Sequence, residues 1–173
     1  DQIEMLSANP RPLLVEKPLY TDTAQAARLE AIAASYKAPV WVAMEYRYMP
    51  AVRRLIDEIP ASAGDLKMLT IREHRFPFLE KIGDWNRFNS NTGGTLVEKC
   101  CHFFDLMRLI TGGEAVRVMA SAGQAVNHLD ERYEGKVPDI WDHGFVLVDF
   151  DNGKRAMLEL SLIHISEPTR PLT

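Results

Sequence analysis

Between residues 93 and 113 the chain reads GGTLVEKCCHFFDLMRLITGG, apolar enough to lie buried yet holding Glu98, His102 and Asp105. At helical spacing these residues and Leu109 form one narrow line. Beside it run a stripe of Leu96, Cys100, Phe103, Met107 and Ile110 and another of Val97, Cys101 and Phe104. Burying a carboxylate or imidazole without a partner is costly, so the polar line must face either solvent or a cleft. His102 could donate one ring N–H to Asp105 a turn later and keep its other nitrogen for a substrate proton, as a general acid–base does. Glu98 stands near the Gly93-Gly94 start of the helix, where the helix dipole favours an anion. The same spacing also describes a solvated helix face with an ordinary polar pair. No metal site is expected, because Glu98 and His102 supply two ligands and no third is evident.

A second group with chemical use is Lys17 in VEKP, residues 15–18. A strand ending there puts Lys17 at the carboxyl edge of a sheet, where α/β folds bind ligands. Pro18 stops the ladder and can hold a cis bond. Alone, these residues describe a surface lysine after an edge strand equally well.

The elements that must position these groups follow from apolar pattern and breakers. PLLVE (12–16) reads as a buried parallel strand. Residues 21–38 read as a helix, with Thr21 as cap and Asp22 in the first turn. PVWVAMEYRY (39–48) reads as a second strand. The next helix starts at Pro50 and ends just before Pro60. Residues 66–78 alternate as a strand, and 79–92 form a polar loop carrying Trp85 and Arg87. One continuous helix spans Thr95–Thr111, stopped by Gly112 and Gly113. Strands follow within 115–126, 143–150 and 155–162, the last two joined by Asn152-Gly153, a type I′ hairpin signal. The order predicts α/β plus α+β: the last strand and helix of a nucleotide-binding unit, then an open, mainly antiparallel sheet with packed helices.

Bulk composition narrows the partners. Of 173 residues, 46% are hydrophobic and 25% charged, with a formal net charge of −4. There is no basic excess to neutralise phosphates, so no nucleic-acid partner is expected. No apolar run approaches the ~20 residues of a membrane span. The adjacent Cys100 and Cys101 would point about 100° apart on a helix, a poor geometry for a disulfide. They read as small, reduced, buried side chains, which points weakly to a cytoplasmic protein. The first residue is not methionine, and strand 12–16 lacks upstream neighbours, so a missing front is expected. The closing IHISEPTRPLT (163–173) is read as a non-native or disordered tail.

In combination these segments resemble the Gfo/Idh/MocA oxidoreductases. LLVEKPLYTDTAQAARLEAIA is similar to the strand and helix that close that family's nucleotide-binding half, and YRYMPAVRRLID to the lead into its second domain. GDWNRFNSNTGGTLVEKCCHFFDLMRLITG resembles its signature helix, Gly-Gly, then Asp-x-Gly-x-His, then Asp. The resemblance covers roughly residues 5–162. It implies a dinucleotide-binding remnant at 1–45 and a substrate and oligomerisation domain at 46–162.

It further implies hydride transfer between NAD or NADP and a hydroxyl carbon of a sugar, cyclitol or related polyol. A nicotinamide-dependent glycosidase or lyase, or a non-catalytic binding relative, are the alternatives. Lys17 takes the place of the active-site lysine and His102 that of the proton-exchanging histidine. Glu98 stands where aspartate is usual, one methylene longer. Cys100 occupies a position that is often glycine, and Lys99 adds a charge beside the site. Glu16, Lys17, Pro18 and Arg47 are candidates for contact with cofactor, and Trp85, Arg87 and Asp105 for contact with substrate. A homo-oligomer through the open sheet is expected. No G-x-G-x-x-G occurs, so tight NAD(P) binding by these residues alone is not expected.

Overall fold

The structure is a computed structural model and describes residues 2–163; beyond Ile163, the expectation for the tail lies outside the described residues. After α1 (Gln2–Leu6), β1 (Leu13–Val15) and β2 (Val40–Val42) pair in parallel, with Leu13 opposite Val40. α2 (Thr23–Ala33) joins them. Its cap is Asp22, which accepts from the Gln25 amide at 2.8 Å, rather than the expected Thr21, which accepts from the Gln25 side chain. A carboxylate holds the exposed amide dipoles better than a hydroxyl, so the cap falls one residue later.

β2 is shorter than its apolar run. Past Val42 the chain tightens into a 3₁₀ turn, Glu45–Tyr48, where a continuing strand was expected. Successive side chains there diverge by about 120° instead of alternating, which sends Glu45, Tyr46 and Arg47 in different directions. α3 (Pro50–Ser62) begins at Pro50 as expected, but Pro60 lies inside its last turn. There a proline removes only one amide bond near the helix end, so the helix carries on through it.

The larger sheet has the order β3-β6-β5-β4, from β3 (Met68–His74), β4 (Ala115–Gly123), β5 (His143–Phe150) and β6 (Arg155–Ser161). β5 pairs antiparallel with both neighbours, but β3 runs parallel to β6, so the sheet is mixed. Antiparallel pairs follow from short hairpins. β3 is separated from β6 by the helices and by β4 and β5, so no hairpin fixes their relative direction and the pair is free to be parallel. One face of the sheet buries Val146, Val148, Phe150, Ala156, Leu158 and Leu160 against Cys100, Phe103 and Met107. The other face leaves Met68, Met119, Phe145 and Leu147 exposed.

The β5–β6 hairpin forms at Asn152-Gly153, but not as a type I′ turn. Gly153 has φ 79°, its amide donates to Phe150 O, and Phe150 donates to Lys154 O. Asn152 is not among the described residues of positive φ. This is a three-residue loop with a glycine bulge. The Asn152 side chain is used elsewhere, donating to Thr111 O at 3.0 Å and so capping the helix above. Among the described residues no helix is long and apolar enough to cross a membrane.

Candidate active site

The stretch 95–111 is two helices rather than the one expected. α4 (Asn89–Thr92) leads through Gly93 and Gly94 into α5 (Thr95–Glu98), and α6 (Cys101–Thr111) follows a turn at Lys99 and Cys100. The break has a purpose at Glu98. Lys17 Nζ donates to the Glu98 carbonyl at 2.9 Å and lies 3.4 Å from its Oε1. Cys101 Sγ also donates to that carbonyl, at 3.7 Å. A continuous helix would have used the same oxygen for the His102 amide. The interruption therefore frees a backbone acceptor for an ammonium arriving from 81 residues away.

The glycine pair makes this approach possible. Gly93 has φ 76°, and a Cβ on it would come within 2.7 Å of Thr21 O and 2.9 Å of Val97 Cγ1. Thr21 follows closely on Lys17 and the cis Lys17–Pro18 peptide bond. A side chain at 93 would push the two segments apart and take Lys17 off Glu98.

His102 is 4% exposed and sits under the ring of Tyr46, with centroids 4.3 Å apart and planes at 9°. Its Nε2 lies 3.5 Å from Glu45 Oε1, and its Nδ1 is buried without a hydrogen-bond partner, as is Glu98 Oε2. The expected His102–Asp105 bond is not made. Asp105 instead accepts from Arg47 Nε and Nη2, both at 2.5 Å. A guanidinium fork matches both carboxylate oxygens at once, and a single imidazole N–H cannot compete with it. The Arg47–Asp105 clamp fastens the 3₁₀ turn to α6, and the turn carries Glu45 and Tyr46 onto His102. Neither was anticipated from sequence, because a strand at 39–48 would have pointed Glu45 and Tyr46 to opposite sides.

Burial holds His102 below its ordinary pKa; Glu45 opposes this, Lys17 adds to it, Asp105 opposes and Lys99 adds. The imidazole therefore stays neutral to lower pH than a free histidine. Exchanging Glu45 for Gln removes the strongest attraction holding the proton. The His102 titration, followed through its ring nitrogens by NMR, should move further to acid in E45Q. A move toward neutral pH would show that Glu45 does not act on the ring.

The remaining candidates separate into two groups. Glu16 and Pro18 line a cleft of about 530 Å³ with Leu19, Gln25 and Arg28. Lys17, Glu98, His102, Asp105 and Arg47 gather at α5 and α6. Trp85 is exposed, in a loop that the structure resolves into a 3₁₀ segment, Ile82–Arg87, followed by α4. Arg87 turns inward: 2% exposed, it donates to Glu131 at 2.8 Å and to Asn86 Oδ1 at 3.1 Å. Cys100 and Cys101 are free thiols, and burial pushes Cys100 up to about 12.

With this geometry in hand, likeness to known proteins is decisive for the family. Residues 61–168 match the family described as "Oxidoreductase family, C-terminal alpha/beta domain" of the Gfo/Idh/MocA proteins. The chain belongs to the Gfo/Idh/MocA oxidoreductases. It is 24% identical over 161 residues to the rhizopine catabolism protein MocA of Rhizobium meliloti, covering 92% of this chain and 47% of that protein. It is 26% identical over 166 residues to inositol 2-dehydrogenase of Rhizobium meliloti strain 1021, covering 93% and 46%. The structure of GenD2 from gentamicin A biosynthesis, in complex with NAD, superposes with a TM-score of 0.74 at 25% identity, over 95% of this chain and 45% of that one. The chain thus spans about half the length of the curated relatives MocA and inositol 2-dehydrogenase. This Gfo/Idh/MocA chain carries the family's C-terminal α/β domain with a mixed sheet.

Proposed function

We propose that the whole protein is an NAD(P)-dependent oxidoreductase that moves a hydride between nicotinamide and the hydroxyl carbon of a sugar, cyclitol or related polyol. The observation that carries this reading is the Lys17–Glu98 contact, at 2.9 Å and 3.4 Å, on the element that leads into His102. Lys17 polarises the reacting hydroxyl by hydrogen bonding its oxygen. His102, neutral and buried, accepts the hydroxyl proton in the oxidative direction and returns it in the reductive one. Glu98 orients Lys17 and keeps one unbonded oxygen near the same place. Its extra methylene lets it reach Lys17 with Oε1 while the backbone carbonyl is also engaged.

In this reading Lys17, just past the carboxyl end of β1 and bonded to Glu98, is the residue of this chain that would meet the nicotinamide end of the cofactor. The chain holds no glycine-rich turn for a pyrophosphate. When bound, the nicotinamide supplies the carbon that takes or gives the hydride. In this reading residues 1–45 close the dinucleotide-binding half and 46–162 form the substrate domain. The exposed Met119, Phe145 and Leu147 face supports a homo-oligomer through the sheet.

The test is turnover of the whole protein with NAD or NADP against a panel of polyols. Net reduced nicotinamide in step with polyol consumption is the expected result. Glycoside cleavage without net reduction would move the protein to the internal redox cycle, and no reaction with any polyol would overturn the reading.

A further inference from the structure

Lys99 is the one residue of the Glu98–His102 segment whose charge the mechanism above leaves unused. Its ammonium lies over the Phe78 ring, 5.2 Å from the centroid, and it is only partly exposed. No carboxylate of the described residues forms an ion pair with it. An aromatic face offers a cation much less than a carboxylate does, so an ammonium held this way still has free donors.

Its surroundings are cationic. Lys17 Nζ is bonded to the Glu98 carbonyl, which belongs to the peptide group leading into Lys99. Burial lowers the Lys99 pKa; Glu98 opposes this, and Arg75, Lys17 and Lys81 add to it. Glu98 is engaged with Lys17, and Glu73 lies 3.3 Å from Arg75. Glu80 lines the same cleft of about 620 Å³ that Phe78 helps to wall. Lys17 thus meets Glu98 and Arg75 meets Glu73, whereas Lys99 meets an aromatic ring and no carboxylate of the described residues.

We propose that Lys99 recognises an anionic substituent, a carboxylate or a phosphate, on a polyol whose reacting hydroxyl lies at Lys17 and Glu98. The proposal rests on the oxidoreductase reading and names the substrate class within it: a sugar acid or sugar phosphate rather than a neutral polyol. An anion beside Lys99 would give this half-buried ammonium the charge-assisted hydrogen bond that the Phe78 ring cannot supply.

The experiment is an NMR titration of the whole protein carrying lysine labelled at Cε, with the Lys99 signal assigned by its loss in K99Q and with glucuronate, glucose 6-phosphate and glucose as probes. The expected result is a shift of the Lys99 signal with at least one acid at roughly ten-fold lower concentration than with glucose, a difference of about 1.4 kcal/mol. K99Q should abolish the preference and K99R should keep it. Which acid acts separates carboxylate from phosphate. Equal response to glucose and both acids, no response at Lys99, or a preference that survives in K99Q overturns the proposal. Binding is read without turnover. Acid binding at Lys99 in a protein that reduces no nicotinamide would therefore sink the oxidoreductase reading alone, and turnover of neutral polyols without acid preference would sink this proposal alone.

Discussion

Replacing His102 with alanine should lower kcat of the whole protein by about 10²–10⁴-fold, the range for removing a positioned acid–base group. KM should change much less, because Lys17 and Glu98 still hold each other and the reacting oxygen. Folding must be followed alongside. His102 is 4% exposed and stacked on Tyr46, so alanine opens a gap beneath the ring and will lower the melting temperature. H102Q fills most of that gap and supplies a control: near-normal stability with the same loss of kcat. The surviving rate should also lose the part of its pH dependence that falls below the ordinary histidine range, where burial places this imidazole. A folded H102Q protein turning over within ten-fold of the parent would remove His102 from proton transfer.

Much of this site was readable in the chain before its structure. The line of Glu98, His102 and Asp105 against apolar stripes marked a polar seam on a buried element, and at 4% exposure His102 does not lie on a solvated face. β5 and β6 fall where alternation and the Asn-Gly pair put them, since a period-two pattern with one buried face admits a single register. What was not readable depends on competition between partners distant in sequence. Local spacing offers Asp105 to His102, but Arg47, 58 residues earlier, takes the carboxylate with two bonds. The helix break at Lys99–Cys100 likewise has no proline or glycine to announce it. It answers to Lys17 bonding the Glu98 carbonyl, a contact that exists only once both segments are folded. The same holds for Glu45 and Tyr46, whose directions come from a 3₁₀ turn inside a run that reads as strand.

Arg87 makes the sharpest case for placing a residue by its partners. A loop arginine beside Trp85 invites a role in binding substrate. In the structure its side chain is 3% exposed and ties residue 87 to Glu131, which also accepts from Tyr133 at 2.8 Å and meets His128 Nδ1 at 2.7 Å. R87M should therefore cost stability. The expected loss is about 3 kcal/mol, the low end for breaking a buried pair, because Glu131 keeps 30% of its side chain in water. For a domain of this size that is a fall in melting temperature of roughly 6–12 °C. The acid limb of stability supplies a second readout. Desolvation raises the Glu131 pKa, but hydrogen bonds from His128, Arg87 and Tyr133 outweigh it and bring the carboxyl down to about 2. A carboxyl depressed on folding contributes stability that is present above its unfolded value of about 4.3 and is lost as pH falls toward the folded one. Without Arg87 the folded value rises, while His128 and Tyr133 still hold it below the unfolded one, so R87M should lose part of this contribution and show a shallower acid limb below pH ~4.3. A substrate-binding arginine would behave oppositely, raising KM while leaving thermal and acid unfolding where they were. Melting curves for R87M over a range of pH, read against its KM, decide between the two roles.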